Sequence, residues 1–192
     1  MKRLLYTLLA AGLAACSGWT GAEKSLIRES PDVMPVCVMP KDSAILRAQS
    51  IDLGPRELHS PELQTLIRKM LHTVTDPSQD GVGIAAPQVG LNRRIVCVMR
   101  YDKPGEPFEA FVNIRIDSLT GPTKPGPEGC LSLPELRGIV PRHQKVQISY
   151  LTPEGKPVTE QVEGYTAVIF QHECDHLDGI LYTDRADSVW HR

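Results

Sequence analysis

Three observations along the chain predict an α+β domain. Strand-like segments rich in β-branched and aromatic residues fill the stretch between Gly90 and Gly164. A strongly amphipathic helical pattern precedes that block, and a nearly all-apolar one follows it. Helices set to either side of a run of strands mark α+β, because a parallel sheet would alternate the two. The composition suits a packed domain: 192 residues, 41% hydrophobic, 23% charged, net charge −2. Such a length can bury a real core. The near-neutral balance excludes a strongly basic nucleic-acid binder, so no nucleic-acid partner is expected. Five cysteines are too few for a disulfide scaffold of this length.

The first fifteen residues form an address. Lys2 and Arg3 precede twelve uncharged residues, Leu4 to Ala15. That run is too short to span a bilayer and has the length of a secretory signal's apolar region. It ends in Leu13-Ala14-Ala15-Cys16, which resembles the lipobox of bacterial lipoproteins. The resemblance implies lipid on Cys16, a membrane anchor and a bacterial cell-envelope location. The alternatives are an ordinary signal peptide, or an apolar N-terminal helix kept by a cytoplasmic protein. Residues 16–35 show little regular pattern and read as a tether. The domain is expected over 36–186, with a short tail at 187–192.

Ser60 is a candidate N-cap with Pro61 at the first helical position. Leu63, Leu66, Ile67, Met70, Leu71 and Val74 follow as one apolar stripe of period 3.6, which reads as packing against a sheet. Ile95–Tyr101 and Glu109–Ile116 read as strands. Val146–Leu151 and Val158–Val162 flank Thr152-Pro153-Glu154-Gly155-Lys156, a hairpin pattern. A second helix is predicted from Thr166 to Leu177, with Gly179 placed for a left-handed cap. Its weak polar face predicts burial.

This helix carries Gln171-His172-Glu173-Cys174-Asp175-His176. Histidines at i and i+4 stand one above the other, so both can reach one metal ion. Glu173 projects nearby, where it can take a proton from water activated by the ion. Catalytic sites usually have three protein ligands, and Cys130 in Glu128-Gly129-Cys130-Leu131-Ser132 is the candidate third. A thiolate would suit Fe(II) or Zn(II). Gly81-Val82-Gly83-Ile84-Ala85-Ala86-Pro87-Gln88 is no dinucleotide-binding turn, since position 86 is Ala and no strand is expected before it. Its small residues permit close backbone approach, and Gln88 offers an amide donor.

Together GVGIAAPQ, EGCLS and QHECDH resemble, in order and spacing, the three signature motifs of peptide deformylases. The resemblance covers about residues 36–186. It implies an α+β fold with a central HExxH helix surrounded by antiparallel or mixed sheets. The implied activity is hydrolysis of the N-formyl group of formyl-methionyl peptides, releasing formate. Cys130, His172 and His176 then match the metal ligands, usually for Fe(II), with Zn(II) able to substitute. Glu173 matches the general base, and Gln88 with the Leu131 N–H matches the oxyanion donors. Gly83 matches the residue whose backbone pairs with the peptide, and Arg137 an arginine on the substrate main chain. Val82, Val168 and Ile169 match the lining of the methionine pocket. Many members carry a long C-terminal helix for which no room is seen after Tyr182, so ribosome contact is left open.

Two other readings compete. An HExxH metalloprotease would recruit a further ligand downstream, but Asp178, Asp184, Asp187 and His191 lack the spacing. A non-catalytic envelope protein that binds formyl peptides would keep the same motifs without turnover.

Overall fold

One antiparallel sheet organises the chain, in a computed structural model that describes residues 18–79 and 81–192. Four helices come first: α1 (Gly21–Glu29), α2 (Ser43–Leu46), α3 (Pro55–Leu58) and α4 (Pro61–Val74). Strands β1 (Gly83–Ala85), β2 (Ile95–Met99), β3 (Phe108–Cys130), β4 (Leu133–Leu151) and β5 (Pro157–Glu163) follow. Helix α5 (Gly164–Leu177) and strand β6 (Ser188–His191) complete the order. The sheet runs β1-β2-β3-β4-β5, and β6 adds to β4. Every strand pair is antiparallel. The expectation of several antiparallel or mixed sheets is thus corrected to a single antiparallel one. An isolated bridge between Ile51 and Arg93 is parallel.

Strand β2 explains the layering. Its alternate residues point to opposite faces: Ile95 and Cys97 join α1 and α4 on one side, while Val96 and Val98 join α5 on the other. Both faces are covered, so the strand reads as the continuous apolar run IVCVM. The Ser60 side chain caps α4 by accepting from the Leu63 N–H, with Pro61 in the first turn. Leu63, Leu66, Ile67, Met70 and Val74 are buried as the stripe requires, and Leu71 packs at its margin. Truncating Leu66 to Ala would cost about 2–5 kcal/mol.

The hairpin forms where expected, with Leu151 opposite Pro157 and Gly155 at φ 80°. Gly179, at φ 72°, lies just past α5 in the left-handed region.

Strands β3 and β4 are much longer than expected, because Pro and Gly at 121–141 lower strand propensity. The pairing survives through four register shifts, which bend a ribbon and let it absorb such residues. Pro125 lies opposite Pro141, and a non-hydrogen-bonded pair needs no N–H from either ring. This bent ribbon delivers Cys130 to α5.

Ordered structure continues past both ends of the expected 36–186 domain. Of the 16–35 tether, the described part is folded. Thr20 and Glu23 form a capping box on α1, and Trp19, Ile27 and Met34 enter the core. So few apolar residues in a nine-residue helix leave little periodicity to detect. The 187–192 tail instead supplies β6, whose ladder pairs Leu136 with His191 and Ile139 with Ser188. The signal segment 1–15 and Cys16 lie outside the described residues.

Candidate active site

Helix α5 places His172 and His176 one turn apart, with ring centroids 5.0 Å from each other. The end of β3 brings Cys130 against them, its Sγ 3.1 Å from His176 Nε2. Ligand atoms of Cys130, His172 and His176 all lie within 4.8 Å of one another. The donor chemistry fits a divalent ion: one thiolate and two imidazoles suit Fe(II) or Zn(II), and three protein ligands leave a position open. His172 Nδ1 lies 2.8 Å from Glu128 Oε2, which leaves Nε2 as the nitrogen free for the ion. Burial pushes the Cys130 thiol up, but His176 and His172 outweigh it and hold the group well below the usual thiol range. His172 shows the converse: burial disfavours its charge, yet Cys130 and Glu128 raise it well above the usual imidazole value.

Behind the histidines runs a buried chain of charges that the sequence reading missed. Burial alone would raise Glu128, but His172 and Arg142 bring it down to about 2. Arg142 Nε donates to Glu128 Oε1 at 2.8 Å, and its NH1 donates to Asp175 Oδ2 at 2.6 Å. Arg185, itself exposed, closes the chain from the surface with two bonds of 2.7 Å to Asp175. Outer partners of this kind fix a ligand's tautomer and orientation. Glu128 and Asp175 sit within the quoted motifs, but only the fold reveals Arg142, which has no periodic relation to either.

Glu173 projects into the same space. Burial raises its carboxyl to about 7, partly opposed by His172 and His176. Its Oε2 has no hydrogen-bond partner among the described residues. Gly83 explains how the carboxylate fits, since a Cβ there would overlap Glu173 Oε1 and lie 2.9 Å from Ile169 Cγ2.

Gln88 stands in a 3-10 turn after β1. Its Oε1 accepts from the Ala85 N–H at 2.9 Å. That bond turns Nε2 inward, 3.5 Å from Cys130 Sγ and 3.3 Å from Ser132 Oγ. The segment at 37–39 clasps both loops: Cys37 N–H donates to Gln88 O at 2.8 Å, and Met39 N–H to Ser132 O at 3.0 Å.

A cavity of about 380 Å³ opens over these groups. Its walls include Val82, Gly83, Gln88, Cys130, Leu131, Arg137, Val168, Ile169, His172 and Glu173. His176 lies beneath, 1% exposed. Every site residue expected in the domain is therefore gathered at one place. Ser78, Gln79, Tyr165 and Arg192 also line it, and no sequence pattern marked them. Cys37, Cys97 and Cys174 form no disulfide among the described residues; Cys174 packs with the α5 cluster.

A family model, polypeptide deformylase, matches residues 33–191. A peptide deformylase of Leptospira biflexa is 38% identical over 152 residues, 76% of this chain and 84% of that protein. One from Symbiobacterium thermophilum is 45% identical over 130 residues, 67% of this chain and 59% of that protein. A solved class I type b peptide deformylase from Acinetobacter baumannii, bound to Met-Ala-Ser, superposes with a TM-score of 0.72 at 37% identity. That match covers 80% of this chain and 98% of the other.

Proposed function

The chain belongs to the peptide deformylase family, and from that premise we propose how its own residues divide the work. The reaction is hydrolysis of the N-formyl group of a formyl-methionyl peptide. Cys130, His172 and His176 hold the ion, read as Fe(II) by family resemblance with Zn(II) as the alternative. A divalent ion there supplies Lewis acidity, polarising the carbonyl and acidifying water.

Glu173 takes the proton from the attacking water and returns it to the leaving amine nitrogen. A carboxyl near pH 7 suits both halves of that transfer. Gln88 Nε2 and the Leu131 N–H donate to the developing oxyanion. Such donors typically contribute about 3–4 kcal/mol to the transition state. The Ala85–Gln88 bond supports this role because it holds the amide in place before substrate arrives. Among the described residues strand β1 pairs only with β2, so its other edge at Gly83 can take the peptide backbone as an added strand. Val82, Val168 and Ile169 enclose the methionine side chain, and Arg137 meets the main chain beyond it. The HExxH helix thus serves as the central support of the site, with the sheet wrapped against it.

The observation that carries the reading is Glu173, buried beside a Cys/His/His group in one cavity with Gln88. The full chain loaded anaerobically with Fe(II) is expected to release formate from formyl-Met-Ala-Ser, and the Glu173→Ala form is not. Absence of formate from the unaltered protein would sink the reading.

We further propose that Cys16 carries lipid and anchors the enzyme in the cell envelope, on the strength of the Leu13–Cys16 motif. There it would meet formyl-methionyl fragments of cleaved signals. Palmitate labelling and fractionation of wild type against Cys16→Ala test this. Label and membrane association that persist in the variant would defeat it.

A further inference from the structure

The cavity carries its charges in two layers. Glu128 and Glu173 are its described acidic lining residues, and both are buried. Glu128 is committed to His172 and Arg142, and Glu173 stands beside the ligand group. Arg137 and Arg192 line the same cavity. Neither makes an ion pair among the described residues; the Arg137 guanidinium reaches only the carbonyls of Leu136 and Pro134.

The β4–β6 ladder sets their spacing. Arg137 pairs with Trp190 and Leu136 with His191. The Arg192 N–H extends the ladder by donating to Glu135 O at 2.8 Å. Side chains alternate along a strand, so Arg192 shares a face with Trp190 and is the diagonal neighbour of Arg137. Diagonal neighbours stand about 7–8 Å apart, within reach of long side chains. Arg137 is also packed in place: a Cβ on Gly129 would lie 2.8 Å from its Cζ, Nε and NH1. Its NH1 is used on carbonyls, while Nε and NH2 have no partner among the described residues.

By that register Glu135 stands opposite Arg192 on the same face, but it makes no ion pair with it among the described residues and does not line the cavity. The cavity wall therefore presents two guanidiniums that one anion can bridge. The planar fork of arginine matches a carboxylate. We infer that Arg137 and Arg192 jointly bind a carboxylate of the peptide downstream of methionine, making such peptides the favoured substrates. The carboxylate is either the free C-terminus of a short peptide or an acidic side chain. This rests on the deformylase reading of the site and specifies its substrate class. Arg192 is a specificity-determining residue remote from the reacting carbonyl, so its contribution falls on KM more than on kcat.

Three substrates decide it, assayed with the full Fe(II)-loaded chain: formyl-Met-Ala-Ser as free acid, its C-terminal amide, and formyl-Met-Ala-Asp amide. The free acid is expected to exceed the amide in kcat/KM by about tenfold, the scale of one charge-assisted hydrogen bond. Arg192→Gln is expected to collapse that ratio, and high salt to shrink it. A rate for the Asp amide near that of the acid assigns the effect to either carboxylate; a rate near that of the Ser amide assigns it to the terminus. Equal kcat/KM for all three substrates, or a ratio unmoved by Arg192→Gln, overturns the inference. Calorimetric binding of unformylated Met-Ala-Ser and its amide reads the same preference without turnover. Absence of formate would therefore strike the deformylase reading, while the binding ratio still decides this one.

Discussion

Gly83 and Glu173 meet where a strand edge faces α5, and the glycine's missing side chain is the space the carboxylate occupies. Gly83→Ala is expected to displace Glu173 and Ile169 together. Misplacement of a catalytic group by about 1 Å can cost about 100-fold, so kcat/KM for a formyl peptide should fall by that order. Circular dichroism should remain native. A fully active alanine variant would show that the carboxylate has other room.

Glu128 joins His172 to Arg142, and the Gln replacement keeps its shape while removing its charge. Glu128→Gln is expected to weaken metal retention by about 10–100-fold, the usual effect of losing an outer partner. Metal content after dialysis against graded chelator checks this, and retention equal to wild type contradicts it.

Removing the ion should expose one thiol in particular. Cys130 lines the cavity and is held toward thiolate by His176 and His172, whereas burial raises both Cys97 and Cys174. Iodoacetamide at neutral pH is expected to label Cys130 after chelation and to spare it when Fe(II) or Zn(II) is restored. Peptide mapping reads the outcome. Labelling that ignores the metal would argue against Cys130 as a ligand.

Acid should loosen α1 through Glu23. Burial opposes its charge, but Arg93 and Thr20 outweigh it and lower its pKa in the folded state. The resulting stability is complete above the unfolded value of about 4.3 and is lost as pH falls through the lower folded value. Trp19 lies 5.0 Å from the Arg93 guanidinium and can report the change. In a Trp190→Phe background, wild type should lose native Trp19 fluorescence across that window. With Glu23→Gln the dependence there should flatten, and identical acid profiles would refute the assignment.

Local chemistry made much of this legible. The α4 stripe, the Gly155 hairpin, the α5 histidines and Gly179 are read from spacings of a few residues, and they stand where the spacings put them. Donor chemistry alone offered Cys130 as a third ligand and Gln88 as an amide donor; family resemblance tied them to His172, because neither has a periodic relation to it. The Glu128–Arg142–Asp175 chain needed the fold itself, since its pairings span 14 and 33 positions. Helix α1 and strand β6 escaped notice because their apolar content is slight and their order comes from tertiary partners. The long arms of β3 and β4 escaped for the opposite reason: their prolines and glycines argue against strands that register shifts then accommodate.

Gly18 gives its carbonyl to Arg93 NH2 at 3.2 Å, and Trp19 Nε1 donates to Ser60 Oγ at 2.8 Å. Only Ser17 separates this riveted point from Cys16, and two residues reach at most about 7 Å. With lipid on Cys16, the enzyme would ride directly on the bilayer like a hull, not a float on a line. The face around Trp19 and Ser60 would then be its keel. Rotation about the membrane normal would stay free while tumbling would not, so the mouth of the cavity would keep a constant bearing relative to the lipid surface.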